Sequence, residues 1–275
     1  MRSKPDLTDR ESAILDQVKV NAPATMLLDG MLDRILSWSI HPEVGLDVKA
    51  MEQIPRSVLS DMAARIKNAG LRPTVHGPFM DLAPGAMDPL ILEVTRSRLR
   101  QAIELASIFK PEYLVFHANY DWTRYGGSPQ RWLDVSIQTW RPIMDRAKDL
   151  NLNIVMENVY EKNPSELIPL LSALTSEGLG FCFDIGHAHA FGRAPDLEWL
   201  EQTAPYLTTL HLHDNHGLKD DHVAIGRGVI DFPALFGWLA KTGRRPRITL
   251  EPHYEEHLWP SLSALSTLWP WPLDS

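Results

Sequence analysis

The run LGFCFDIGH (Leu179–His187) stays apolar until it meets Asp184, and Gly186 and His187 follow at once. An apolar run this short suits a buried strand better than a helix. A carboxylate at the end of such a strand is costly unless water, a partner or an ion faces it. A parallel barrel offers that setting, because its C-terminal mouth gathers strand-end side chains around one cavity. The fold therefore depends on whether other apolar runs end in the same way.

They do so in both directions along the chain. VKVNAP (Val18–Pro23) reads as a first strand, followed by the helical pattern ATMLLDGMLDRILSWS. EVGLDV (Glu43–Val48) is the second, before the helix RSVLSDMAARIKNAG. LRPTVHGPF (Leu71–Phe79), EYLVFHANY (Glu112–Tyr120) and NLNIVMENV (Asn151–Val159) are the third to fifth. Leu179–His187 is the sixth, YLTTLHLHDN (Tyr206–Asn215) the seventh and PRITLEPH (Pro246–His253) the eighth. Apolar residues recur at helical spacing between them. Eight strands alternating with helices over about 250 residues predict an α/β fold, a (β/α)8 TIM barrel in one domain spanning 1–275. The near-continuous apolar runs predict strands buried on both faces. An open doubly wound sheet would need a glycine-rich phosphate loop after the first strand, and VNAPATM is not one.

Composition narrows the setting. The 275 residues carry a formal net charge of −8 and include one cysteine, Cys182. No apolar run reaches the ~18 residues of a membrane span. The N-terminal MRSKPDLTDRESAILDQ lacks an apolar signal core. A lone cysteine forms no internal disulfide and fits a reducing compartment. A cytoplasmic protein acting on a small-molecule substrate is expected, without a membrane partner. The charge argues against nucleic acid. Oligomeric state leaves no mark on the sequence.

The polar strand ends carry the chemistry. The third strand brings His76, the fourth His117 and the fifth Glu157. The sixth brings Asp184, with His187 one turn on. The seventh brings His211 and His213, and its loop KDDHVAIGRG holds Asp220, Asp221 and His222. The eighth brings Glu251. Imidazoles and carboxylates together suit a divalent transition metal. Bare acids crowded in a barrel mouth would repel one another, and a cation removes that cost. With no cysteine among these residues, a closed structural zinc site is not expected. His189, His216, His253 and His257 lack a strand-end position and read as structural or surface residues.

The segments HGPF, FHAN, MENV, FDIGHAH, HLHDN, DDHVAIGRG and LEPH resemble the xylose-isomerase-like barrel superfamily, which contains endonuclease IV and many sugar isomerases and epimerases. The resemblance to endonuclease IV implies up to three metal ions. His76 and His117 would hold one, with Glu157 bridging to a second completed by Asp184, His211 and Glu251. His187, Asp220 and His222 would hold the third. Zinc is implied first, two to three ions, with manganese admitted. On this resemblance the leading expectation is a phosphoester hydrolase, a phosphodiesterase included, with Glu157 and Glu251 catalytic. His213 and Arg227 of the GRG segment would contact the substrate. The alternative is a single-metal sugar or sugar-phosphate isomerase or epimerase, whose ligands correspond to Glu157, Asp184, His211 and Glu251. Epimerases of the tagatose and psicose type carry a second glutamate where this chain has Asn163 and an arginine where it has Gly217. Both departures count against that substrate pattern.

Overall fold

A computed structural model describes residues 4–273. Eight parallel strands close into one barrel in chain order, with β1 hydrogen-bonded to both β2 and β8. The strands are β1 (Val18–Pro23), β2 (His41–Gly45), β3 (Thr74–His76), β4 (Leu114–His117), β5 (Ile154–Glu157), β6 (Gly180–Asp184), β7 (Leu207–Leu212) and β8 (Arg247–Leu250). The expected barrel is present. β1 has the bounds read from the sequence, and β3 to β8 are shorter than their apolar runs, because residues beyond the strand ends leave the ladder for loops.

Two boundaries differ for identifiable reasons. The second strand starts at His41 and stops at Gly45, because the Asp47 side chain caps the helix Val48–Gln53 through the Ala50 N–H, 2.6 Å away. The single helix expected after β1 is broken: Gly30 has φ +94° and Asp29 is non-helical. Two helices escaped the periodicity argument, Asp9–Leu15 and Glu255–Leu268, and they pack together beside the β1–β8 seam.

The two faces of the strands are not alike. Outward residues such as Leu114, Phe116, Met156, Phe183, Leu210 and Leu250 join a large apolar layer beneath the helices. Inward residues form only a small separate apolar cluster of Tyr113, Val115, Val155 and Cys182. The rest of the interior is polar. Glu43, wholly buried, accepts hydrogen bonds from Thr74 Oγ1 at 2.9 Å, Thr249 Oγ1 at 3.1 Å and Asn21 Nδ2 at 3.3 Å. Both strand faces are buried, as expected, but the inner one carries side-chain hydrogen bonds instead of packed hydrocarbon. Period-two alternation then places the next inward residue of each strand at the mouth.

Candidate metal centre

Register builds the site. His117 on β4 lies beside Glu157 on β5, and Asp184 on β6 lies beside His211 on β7. Asn158 fastens β5 to β6: its side-chain amide donates to the Asp184 carbonyl, and its side-chain oxygen accepts from the Asp184 N–H, both at 2.9 Å.

Glu157 is the centre of the cluster and is 1% exposed. Its Oε2 lies 3.1 Å from His76 Nε2, 3.3 Å from His211 Nδ1 and 3.5 Å from His117 Nε2. Its Oε1 lies 3.0 Å from His187 Nδ1. Glu251 Oε1 reaches the same His211 Nδ1 at 3.0 Å. His211 is fully buried, and its other nitrogen, Nε2, faces Glu43 Oε1 at 3.2 Å. Glu43 therefore belongs to the site, although the sequence reading passed over it.

The β7 loop supplies a second group. Asp214 accepts backbone N–H bonds from Asn215, Gly226, Gly228 and Ile230. That anchor, with the bridge between Asp214 and Val223, brings Asp220 and His222 back over the mouth. Asp220 Oδ2 lies 3.0 Å from His222 Nε2 and 3.3 Å from His187 Nε2. His213 Nε2 lies 3.2 Å from Asp184 Oδ1 and 3.4 Å from Asp220 Oδ1. The rings of His213, His222 and His253 stack at successive centroid distances of 3.7 Å.

Thus His76, His117, Glu157, Asp184, His187, His211, Asp220, His222 and Glu251 are brought together at one end of the barrel. His213 falls among these potential ligands instead of on the cavity wall. Arg227 does not join them: its side chain is exposed and lies off the cavity. Asp221 pairs with the exposed His216 at 2.9 Å. His253, read as structural, lines the cavity. Its stacking on His222 left no signal in spacing.

The donor set fits a cation. His76 Nδ1 lies 2.9 Å from the Gly77 carbonyl and His222 Nδ1 2.7 Å from the Glu251 carbonyl. A ring that donates from Nδ1 presents a bare Nε2 to the centre. Glu157 Oε1, Asp184 Oδ2, Asp220 Oδ1 and both ring nitrogens of His211 and His213 are buried without a hydrogen-bond partner. Buried polar atoms left in this way call for an explanation. Two of the groups whose donor atoms lie within 4.8 Å of one another are His187, His213, Asp220 and His222, and His76, His117 and Glu157.

The electrostatics agree. Burial opposes charge on Glu157, yet His211 and His117 outweigh it and hold the carboxyl well below the usual range. Burial likewise opposes charge on His187, but Asp184, Asp220 and Glu157 raise it well above an ordinary imidazole. His222 is pushed up to about 8, with Asp220 and Glu251 overcoming its burial. The carboxylates demand positive charge here, which a metal ion could supply in place of protons.

Residues 42–268 match the family described as xylose isomerase-like TIM barrel. An uncharacterized protein of Methanocaldococcus jannaschii is 32% identical over 184 residues, covering 64% of this chain and 63% of its own length. The chain thus spans less than two thirds of that relative. A Thermus thermophilus protein, solved after soaking with ZnCl2, is 29% identical with a TM-score of 0.76, covering 92% of this chain and 98% of its own. A D-tagatose 3-epimerase-like protein is 24% identical with a TM-score of 0.78, covering 91% and 97%.

The phosphoester-hydrolase expectation is corrected here. Structures that share the fold include sugar epimerases acting on psicose, allulose or a keto-glucoside. The chain itself withdraws a support for the hydrolase, because Arg227, assigned to the phosphate, faces solvent away from the cavity. Arg124 is the single Lys or Arg lining that cavity among the described residues, and it pairs with Asp121.

Proposed function

The chain belongs to the xylose isomerase-like TIM barrel family, and on that premise we propose that it is a metal-dependent sugar isomerase or epimerase. The observation that carries this reading is the convergence of Glu157 and Glu251 on one nitrogen, His211 Nδ1, at 3.3 and 3.0 Å. They arrive from the ends of β5 and β8 and both line the cavity, so two carboxylates of its floor converge on one buried nitrogen from different strands.

His211, Glu157 and Glu251, with Asp184 as the register partner of His211, would hold the ion, and zinc or manganese suits this set. Such an ion, when bound, polarises a carbonyl and acidifies the adjacent C–H. The remaining work falls to the chain. One glutamate takes the proton from the carbon next to the carbonyl, and the electron pair moves into an enediol. The other returns a proton, to the opposite face for epimerisation or to the neighbouring carbon for isomerisation. Burial opposes charge on both carboxyls, but His211 beside them holds both below the usual range, so each stands ionised. His76 and His117 line the pocket beside Glu157, and Phe79 stacks on His117 at 4.4 Å.

Proton transfer beside a carbonyl is read directly in heavy water. A panel of ketoses, aldoses and keto-glycosides incubated with metal-loaded protein is expected to show deuterium at the carbon next to the carbonyl. Glu157→Gln, which keeps the size and removes the base, is expected to lower that exchange at least ~100-fold with the fold intact. Absence of exchange across the panel with fully loaded protein, or near-normal exchange in Glu157→Gln, sinks the reading.

A further inference from the structure

Resting on that reading, we infer that the substrate is an uncharged sugar or polyol carrying a large apolar group, not a free monosaccharide. Three features of the cavity point the same way.

The first is size. The cavity above the histidine cluster has a volume of about 1390 Å³. Pockets for drug-sized ligands span roughly 300–1000 Å³, and a free hexose is smaller than such ligands. A hexose at the carboxylates would leave most of this space to water.

The second is the wall. Its floor presents His76, His117, Glu157, His187, His222 and Glu251. The side beneath the β1 and β3 loops presents Met31, Trp38, Leu82, Ala86, Met87 and Ile91. Large apolar side chains left open to water also gather here: Met26, Phe79, Met80, Ile91, Trp122 and Tyr160 are 39–66% exposed, and all six line this cavity. Apolar surface concentrated in one concavity marks a binding surface, and methionine adapts readily to an irregular apolar ligand.

The third is charge. The wall carboxylates are mostly committed within the chain, with the exposed Asp81 apart. Asp47, Asp88 and Asp121 cap helices through the backbone N–H groups of Ala50, Leu90 and Thr123, and Glu255 pairs with Arg34. Among the described residues Arg124 is the one lysine or arginine that lines the cavity, already paired; Lys162 and Arg193 lie over the lining Trp122 without lining it themselves, and the five wall carboxylates Asp47, Asp81, Asp88, Asp121 and Glu255 disfavour an anionic substituent. Asn163 and Gly217, where tagatose-type epimerases place Glu and Arg, lie outside the cavity lining. The polar head has the floor, and the apolar body has the wall.

The probe is a set of alkyl β-glucosides from methyl to octyl, each below its critical micelle concentration, titrated against metal-loaded protein. Binding is followed by the fluorescence of the lining Trp38 and Trp122. Affinity is expected to rise two- to fourfold per added methylene, about fourfold being the limit for a fully buried CH₂. Ile91→Glu and Met87→Arg, which place charge in the wall, are expected to flatten that dependence while metal content and thermal melting stay those of the parent. Affinity independent of chain length, or a dependence that survives both substitutions, overturns the inference. The same samples carry the deuterium assay. Exchange into a sugar without chain-length dependence keeps the isomerase reading and removes the apolar substrate. Chain-length dependence without exchange into any sugar, alkylated or free, keeps the apolar wall and removes the isomerase.

Discussion

His211 is held from two sides, and the side away from the cavity decides what the other can do. Its Nε2 faces Glu43, which is wholly buried and does not line the cavity. Carboxylates behind a ligating imidazole fix its tautomer and strengthen it as a ligand. Asn21 ties the pair to the mouth, its side-chain amide lying 3.3 Å from both Glu43 Oε1 and Glu251 Oε1. Replacing Glu43 with Gln keeps the bonds from Thr74 and Thr249 within reach but removes the charge behind the ring. Metal affinity is then expected to fall by ~10–100-fold, measured by competition with a chelator in the absence of any sugar. Unchanged affinity would show that Glu43 is only a buried structural acid.

At the scale of elements, the helix Ile185–Phe191 sets the angle between the two halves of the centre. Asp184 caps it through the His187 N–H at 2.6 Å, so the residue that ends β6 also starts the helix carrying His187. Gly186 stands in the first turn of that helix. Its φ is not positive, and what it supplies is space: a Cβ there would fall within the His213 ring. That ring cannot retreat freely, since His222 stacks on it at 3.7 Å. Gly186→Ala is expected to cost on the order of 1–3 kcal/mol, the usual penalty of overpacking. It should also weaken metal binding, read by thermal melting with and without added zinc. A variant as stable as the parent would mean that the ring has room to move.

The same elements show what sequence could and could not reveal. The eight strands were legible because each is a short apolar run punctuated by helix-length segments. His76, His117, Glu157, Asp184 and Glu251 were legible because each ends such a run. Glu43 was not, because it opens the second run as read from the sequence, where no pattern separates an inward carboxylate from a solvated one. His253 was misread because its neighbour, His222, is supplied by another strand's loop. Asp214 was passed over because its four backbone partners exist only once that loop has folded. Glu255–Leu268 escaped the periodicity argument because Trp259 and Pro260 interrupt its helical spacing.

Across the whole molecule, buried acids are plentiful, and nearly all are matched by histidines or N–H groups; Glu161 is the exception that pH can expose. It is 1% exposed, with one oxygen accepting from the Val159 N–H at 2.7 Å and the other unpartnered. Burial pushes its carboxyl up to about 7. An unfolded glutamate titrates near 4.3. Between those values the folded chain holds a proton that the unfolded chain has released. Stability from this group is therefore full below about 4.3 and is lost as pH rises toward 7. The whole effect is on the order of 3 kcal/mol. Glu161→Gln keeps the shape and never ionises, so its advantage over the parent should be small at pH 5 and full at pH 8. In a chain of this size the gap should be about 5 °C in melting temperature. His222, pushed up to about 8, titrates close to this range, but it does so in both proteins, and the difference between the two curves cancels it. Repeating the comparison with and without chelator checks that cancellation. A gap between variant and parent that does not change from pH 5 to 8 would show that Glu161 stays ionised in the folded protein.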